Sequence, residues 1–117
     1  LNGAENFQLT KYSTGGHYDW HCDSWDSAYT EGDYAGNVRK LSMTLSLTDK
    51  TEYEGGELLF SYGNDNFKQK RKIITCKEVF SKGSLVVFPS FIWHKVQPVT
   101  KGTRYSLVIW NLGNPFL

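Results

Sequence analysis

Residues 40–48 read KLSMTLSLT. Leu41, Met43, Leu45 and Leu47 alternate without a break with Ser42, Thr44, Ser46 and Thr48. Side chains two residues apart in an extended chain share a face, so this is a β-strand with one apolar and one small polar side. Residues 7–12 also alternate, before a turn at 13–16, and residues 18–23 form a second short extended segment. Residues 56–62 follow the Gly55-Gly56 turn, 73–80 and 84–88 are split by Lys82-Gly83, and 104–110 close the set. No segment keeps a 3.6-residue apolar period over the length a helix needs. About eight short strands with turn signals between them predict an all-β domain, either a sandwich or a barrel-like jelly roll.

The chain has 117 residues, enough for one domain with one core over residues 1–117. Its net charge of +1 argues against nucleic acid and against an anionic membrane surface as partners. Lys68, Lys70, Arg71 and Lys72 form a short basic run in a polar connection and read as a solvated face. No apolar run approaches the ~18 residues that span a bilayer. There is no signal-peptide pattern, and a start at Leu1 rather than Met reads as a trimmed N-terminus. Cys22 and Cys76 fit no zinc-ribbon spacing and read as buried free thiols, with a disulfide also open. That usage points to the cytoplasm.

The chemistry gathers in HYDWHCDSW, residues 17–25. In a strand His21 and Asp23 project together and Cys22 points away. An imidazole and a carboxylate at that spacing can grip one ion, although H-x-D alone is a weak signal. His17 lies in a Gly-Gly turn and reads as solvated. His94 ends the apolar run SLVVFPSFIWH, where on its own it reads more often as a satisfied core histidine. Taken together, His21, Asp23 and His94 make a two-histidine, one-carboxylate set, which leaves coordination positions open and suits non-haem Fe(II) with oxygen. A closed zinc site would want four ligands and more cysteine.

Ten residues beyond His94, Arg104 opens RYSLVIW. Alternation puts Arg104, Ser106, Val108 and Trp110 on one face. If that face is the inner one, a guanidinium lies inside the barrel, and a buried unpaired charge costs several kcal/mol. A carboxylate ligand meets the guanidinium fork in bidentate geometry and removes the cost. The small Ser/Thr side of residues 40–48 leaves room for it.

Four pieces, KYSTGGHYDWHCD, RKLSMTLSLTD, YEGGELLF and GSLVVFPSFIWHKVQPVTKGTRYSLVIW, occur in this order over residues 7–117. They resemble the Fe(II)- and 2-oxoglutarate-dependent oxygenases, in the prolyl 4-hydroxylase-like branch, in short bacterial or phage-type form. The resemblance implies a double-stranded β-helix (jelly-roll) core, with a minor N-terminal helix missing or trimmed. It implies His21, Asp23 and His94 as iron ligands and Arg104 as the residue that binds the distal carboxylate of 2-oxoglutarate. Tyr12 stands where the family places a cosubstrate tyrosine. Leu58, Val96 and Ser106 are implied as wall residues, and Ser46 stands where animal oxygen-sensing enzymes carry a tyrosine. Tyr18, Trp20, Trp25 and Trp110 are implied on the substrate side. Residues 24–37, with Trp25, Tyr29 and Tyr34, are the candidate lid.

The activity implied is hydroxylation of a C–H bond, foremost in a prolyl residue of a peptide or protein, with Fe(II), 2-oxoglutarate and O2 consumed or bound and succinate and CO2 released. Ascorbate is an admissible reductant. If the chain is phage-encoded, the host cytoplasm is the compartment. Two alternatives stay open: a same-family oxygenase acting on a free amino acid or another side chain, and a cupin-like metal-binding module without redox chemistry. The second has no use for Arg104. Nothing in the residues decides the oligomeric state.

Overall fold

The structure is a computed structural model and describes residues 3–24, 28, 32, 35–62 and 72–114. Eleven strands lie among the described residues: β1 Gly3–Ala4, β2 Gln8–Tyr12, β3 Tyr18–His21, β4 Val38–Ser46, β5 Tyr53–Gly55, β6 Leu58–Tyr62, β7 Lys72–Cys76, β8 Leu85–Pro89, β9 Trp93–Val96, β10 Val99–Gly102 and β11 Arg104–Gly113. Two 3-10 turns, Lys50–Glu52 and Lys77–Phe80, complete the regular structure. The fold is all-β, a jelly roll. No helix among the described residues is long and apolar enough to cross a membrane.

The major sheet runs β1-β11-β4-β8, with β2 paired to the other half of β11's free edge. The minor sheet runs β3-β9-β6-β7, and β5 and β10 form a separate ribbon. Every pairing is antiparallel. The KLSMTLSLT strand sits at the centre of the major sheet, between β11 and β8. Ser42 and Ser46 are buried between the sheets, while Leu41, Met43 and Leu45 are only half covered. The small polar side is therefore the inner one, and the apolar side looks outward, continuous with exposed Leu9, Leu85 and Val87. The inversion follows from what the interior holds: a cavity into which His21, Asp23, His94 and Arg104 face, rather than a wall-to-wall apolar core.

The apolar core lies at one end of the barrel, where Tyr12, Tyr53, Leu58, Phe60, Val79, Phe88, Val96 and Val99 pack together. Each of the larger of these contributes about 1.5–3 kcal/mol by leaving water. The Phe60 and Phe88 rings meet edge to face at 5.0 Å, and Phe88 meets the His94 ring at 4.8 Å, so the core runs directly into the histidine.

Several expected boundaries move. Residues 73–80 are not one strand, because the chain leaves the sheet at Cys76 and coils so that Val79 drops into the core. Residues 49–52 form a short turn capped by Asp49, whose side chain accepts from the Thr51 amide while Glu52 reaches back to the Asp49 amide. The β5 and β10 strands were not anticipated; they are too short for an alternation signal. Trp25, Tyr29 and Tyr34 of the expected lid lie outside the described residues. Cys22 and Cys76 are both free thiols.

Candidate metal centre and its cavity

His21 ends β3 and His94 lies in β9, and the two residues are direct partners across the antiparallel pair. Their rings lie 4.2 Å apart. Asp23 follows two residues after His21, and its Oδ1 is 3.4 Å from both His21 Nε2 and His94 Nε2. The three donor atoms all lie within 4.8 Å of one another. Metal–ligand bonds of about 2.0–2.2 Å put adjacent donors about 3 Å apart, so the set fits one ion with little movement.

The tautomers suit a metal as well. His21 Nδ1 donates to the Asp19 carbonyl at 2.7 Å, and His94 Nδ1 donates to the Ile92 carbonyl at 2.9 Å. The Nδ1 bonds leave Nε2 as the atom that each ring turns toward Asp23: it donates to the carboxylate while it carries a proton, and offers a lone pair to a metal once that proton is lost. On the other side of the carboxylate, the Ser42 hydroxyl donates to Asp23 Oδ2 at 2.5 Å and meets Ser90 Oγ at 2.9 Å. The Ser90 carbonyl in turn accepts from the Asp23 and Ser24 amides. Burial pushes the Asp23 carboxyl up, but hydrogen bonds from His21, His94 and Ser42 and the nearby His94 charge outweigh it. The group sits well below the usual carboxylate range and stays ionised. Burial pushes His21 down, but its bonds to Asp23 and to the Asp19 carbonyl leave it above its ordinary value.

The triad opens into a cavity of about 360 Å³. Arg104, at the start of β11, is 2% exposed and projects into it, and its Nε and Nη1 have no hydrogen-bond partner among the described residues. The Arg104 guanidinium carbon lies 5.4 Å from the centre of the Tyr12 ring. Leu58, Val96 and Ser106 line the cavity, as do Tyr18 and Trp110. Phe88 closes it against the core.

Ser46, expected on the cosubstrate side, and Trp20, expected on the substrate side, both lie outside the cavity lining. Ser46 is buried, with its hydroxyl donating to the Thr48 carbonyl at 3.2 Å. The Trp20 ring lies 6.0 Å from Lys95 Nζ. A bulge between Tyr18 and His21 explains this: Tyr18 pairs with Val96 and His21 with His94, three residues against two. The extra residue brings Tyr18 onto the face of His21, ring to ring at 3.9 Å, and turns Trp20 away. Trp25 falls outside the described residues.

Other residues enter that spacing did not single out. Ser42 and Ser90 hold the carboxylate, and only the polar side of β4 hinted at the first. Arg39 stacks 3.8 Å over the Trp110 ring while its Nε donates to a Glu5 carboxylate oxygen at 2.6 Å, which builds the wall away from Arg104. Cys22 Sγ donates to the Ser24 carbonyl rather than facing the triad donors.

Comparison with known proteins agrees with this geometry. Residues 7–111 match the sequence model of the 2OG-Fe(II) oxygenase superfamily. A PKHD-type hydroxylase of Stutzerimonas stutzeri is 34% identical over 102 residues, covering 85% of this chain and 39% of that protein. A PKHD-type hydroxylase of Alteromonas mediterranea is 43% identical over 70 residues, covering 60% of this chain and 27% of its own. The chain thus spans about two fifths, or less, of the length of these relatives. A solved prolyl-4-hydroxylase of Pseudomonas putida superposes with a TM-score of 0.62 at 27% identity, covering 98% of this chain and 57% of that one. A viral collagen prolyl hydroxylase from Paramecium bursaria Chlorella virus-1, solved with 2OG, shares the fold with a TM-score of 0.58 at 18% identity, covering 97% and 60%.

Proposed function

The chain belongs to the 2OG-Fe(II) oxygenase superfamily, and on that footing we propose that it is a 2-oxoglutarate-dependent dioxygenase that hydroxylates a prolyl residue in a peptide or protein. The observation that carries the reading is the pairing of the His21–Asp23–His94 set with a buried Arg104, whose Nε and Nη1 have no hydrogen-bond partner among the described residues, in one cavity. A metal-binding module without redox chemistry gains nothing from the second half of that pair. The prolyl substrate is supported by the relatives, which are named PKHD-type and prolyl hydroxylases.

Bound Fe(II), 2-oxoglutarate and O2 would supply the oxidising chemistry, which couples decarboxylation of the keto acid to succinate with insertion of one oxygen atom into a C–H bond, with ascorbate as the admissible reductant. The protein's own residues do the rest. His21 and His94 offer Nε2 lone pairs, and Asp23 offers Oδ1 while Ser42 holds Oδ2. Three protein donors leave the remaining positions for cosubstrate and oxygen. Arg104 would hold the far end of the cosubstrate, its Nε–H and Nη1–H offering two donors to the distal carboxylate. Leu58, Val96 and Phe88 keep water from the cavity floor. Tyr18 and the Trp110–Arg39 stack form the substrate-side wall.

The test is anaerobic titration of the Fe(II)-loaded protein with 2-oxoglutarate, followed through the visible charge-transfer band of a chelated keto acid. A saturable band that weakens in Arg104→Ala is expected. Bound metal without such a band would leave a metal-binding module.

A further inference from the structure

Two guanidiniums line the cavity, and they stand in different states. Arg104 has Nε and Nη1 without a hydrogen-bond partner among the described residues. Arg39, on the substrate side, is already held: its Nε donates to Glu5 Oε2 at 2.6 Å and its Nη2 to Glu5 Oε1 at 3.4 Å. Both side chains of the pair are largely enclosed, 18% exposed for Arg39 and 14% for Glu5. With so little water around them, each charge offsets the other at short range.

Glu5 fixes the wall at two points. Its amide donates to the Trp110 carbonyl at 3.0 Å, continuing the register in which Gly3 pairs with Leu112 and Ala4 with Asn111. Its carboxylate holds the Arg39 guanidinium, whose central carbon lies 3.8 Å from the centre of the Trp110 ring. A guanidinium stacks on an indole through its flat face and keeps its edge N–H groups for a carboxylate, so the two contacts reinforce each other. Gln8, Thr10 and Thr44, which share the lining, carry no charge. Outside the histidine–aspartate set, the cavity therefore has one guanidinium that asks for an anion, Arg104, and one whose charge is met within the wall.

We infer that Glu5 is a positioning residue that makes the substrate-side wall neutral, so that the substrate segment lying against Trp110 is an uncharged stretch of peptide and acidic segments are disfavoured. The inference rests on the proposed function and names the substrate class. Glu5→Gln keeps the shape of the side chain and an acceptor oxygen for Arg39, and removes only the charge. Two end-blocked peptides serve as probes, each with one prolyl residue, flanked by alanines in the first and by glutamates in the second. With Fe(II) and 2-oxoglutarate, the wild type is expected to have the higher kcat/KM on the alanine peptide, with the difference in KM. In Glu5→Gln the ratio of the two values is expected to move about three- to tenfold toward the glutamate peptide. The double variant Glu5→Gln/Arg39→Gln, neutral again, should return the ratio to the wild-type side.

An unchanged ratio in Glu5→Gln overturns the inference. So does a shift that persists in the double variant, because shape rather than charge would then be responsible. A wild type that turns over neither peptide fails at the parent reading, and the wall is then read without turnover, through the fluorescence that disappears in Trp110→Phe. In Glu5→Gln, quenching of that emission by iodide should rise at least about twofold while quenching by uncharged acrylamide stays level. Equal iodide quenching in wild type and variant overturns the neutral wall.

Discussion

Ser42, in β4 of the major sheet, and Asp23, just beyond the end of β3, share a 2.5 Å hydrogen bond in which the serine hydroxyl donates to Oδ2. That bond uses the far oxygen of the carboxylate and leaves Oδ1 between the two imidazoles. Ser42 is itself enclosed, at 1% exposure, and anchored to Ser90.

Removing that hydroxyl should loosen the metal without unfolding the protein. Ser42→Ala is expected to weaken metal affinity about 10- to 100-fold, the usual cost of losing a partner behind a ligand. Competition titration with a chelator against Fe(II) or Co(II) measures it. Affinity equal to wild type would show that the carboxylate needs no such support.

Asp23→Ala removes the one anionic ligand. Metal binding and turnover should both be lost while the β-sheet circular dichroism persists, because Asp23 sits beyond the end of β3 and carries none of the β3–β9 pairing. Full turnover in this variant would show that the opening motif is not the metal site.

The charges of the triad give the metal-free protein a pH signature. Asp23 titrates lower in the fold than its ordinary 3.8, so its contribution to stability is present above that value and is lost as pH falls through the lower folded value. His21 titrates above its ordinary 6.5, so its contribution is complete below 6.5 and is lost as pH rises through the raised folded value. Without metal, the triad therefore favours the fold most between 3.8 and 6.5. With metal, protons compete for Nε2, and the gain in melting temperature from added Mn(II) should be larger at about pH 7.5 than at about pH 5.5. Equal gains would mean that His21 is not a ligand.

The turn over Arg104 depends on glycine. Gly55 has φ +80°, and a methyl group there would lie 2.4 Å from the Pro98 carbonyl oxygen. Gly83 has φ +87° but open space around it. Gly83→Ala should cost about 1 kcal/mol, the price of the left-handed conformation alone, whereas Gly55→Ala should cost at least about 3 kcal/mol because backbone must also move. Urea unfolding of both variants separates the two terms.

Much of the site was legible because alternation is a reliable guide inside a regular strand. Arg104 and Ser106 on one face, and Ser42 with Ser46, follow from it directly. It failed where the strand is irregular. The bulge in β3 changes parity between Tyr18 and His21, so Tyr18 lines the cavity and Trp20 does not. It also failed at residues 77–80, where Val and Phe read as strand but burial of Val79 is reached by coiling. Glu5 and Ser90 went unread for a different reason. Their importance comes from contacts across the fold, to Arg39 and to Ser42, and no local pattern carries that information. Gly55-Gly56 was legible as a turn, yet only the fold shows that Gly56 lies against both Arg104 and Tyr53.

All three candidate metal donors belong to β3, its extension and β9, whereas Arg104 opens β11 on the major sheet. A molecule chelated by the metal at one end and held by Arg104 at the other is then a strap across the sandwich. Metal alone braces one layer. Metal and keto acid together tie the two layers, so each should bind more tightly in the presence of the other, and the pair should slow the parting of the sheets by more than the sum of their separate effects.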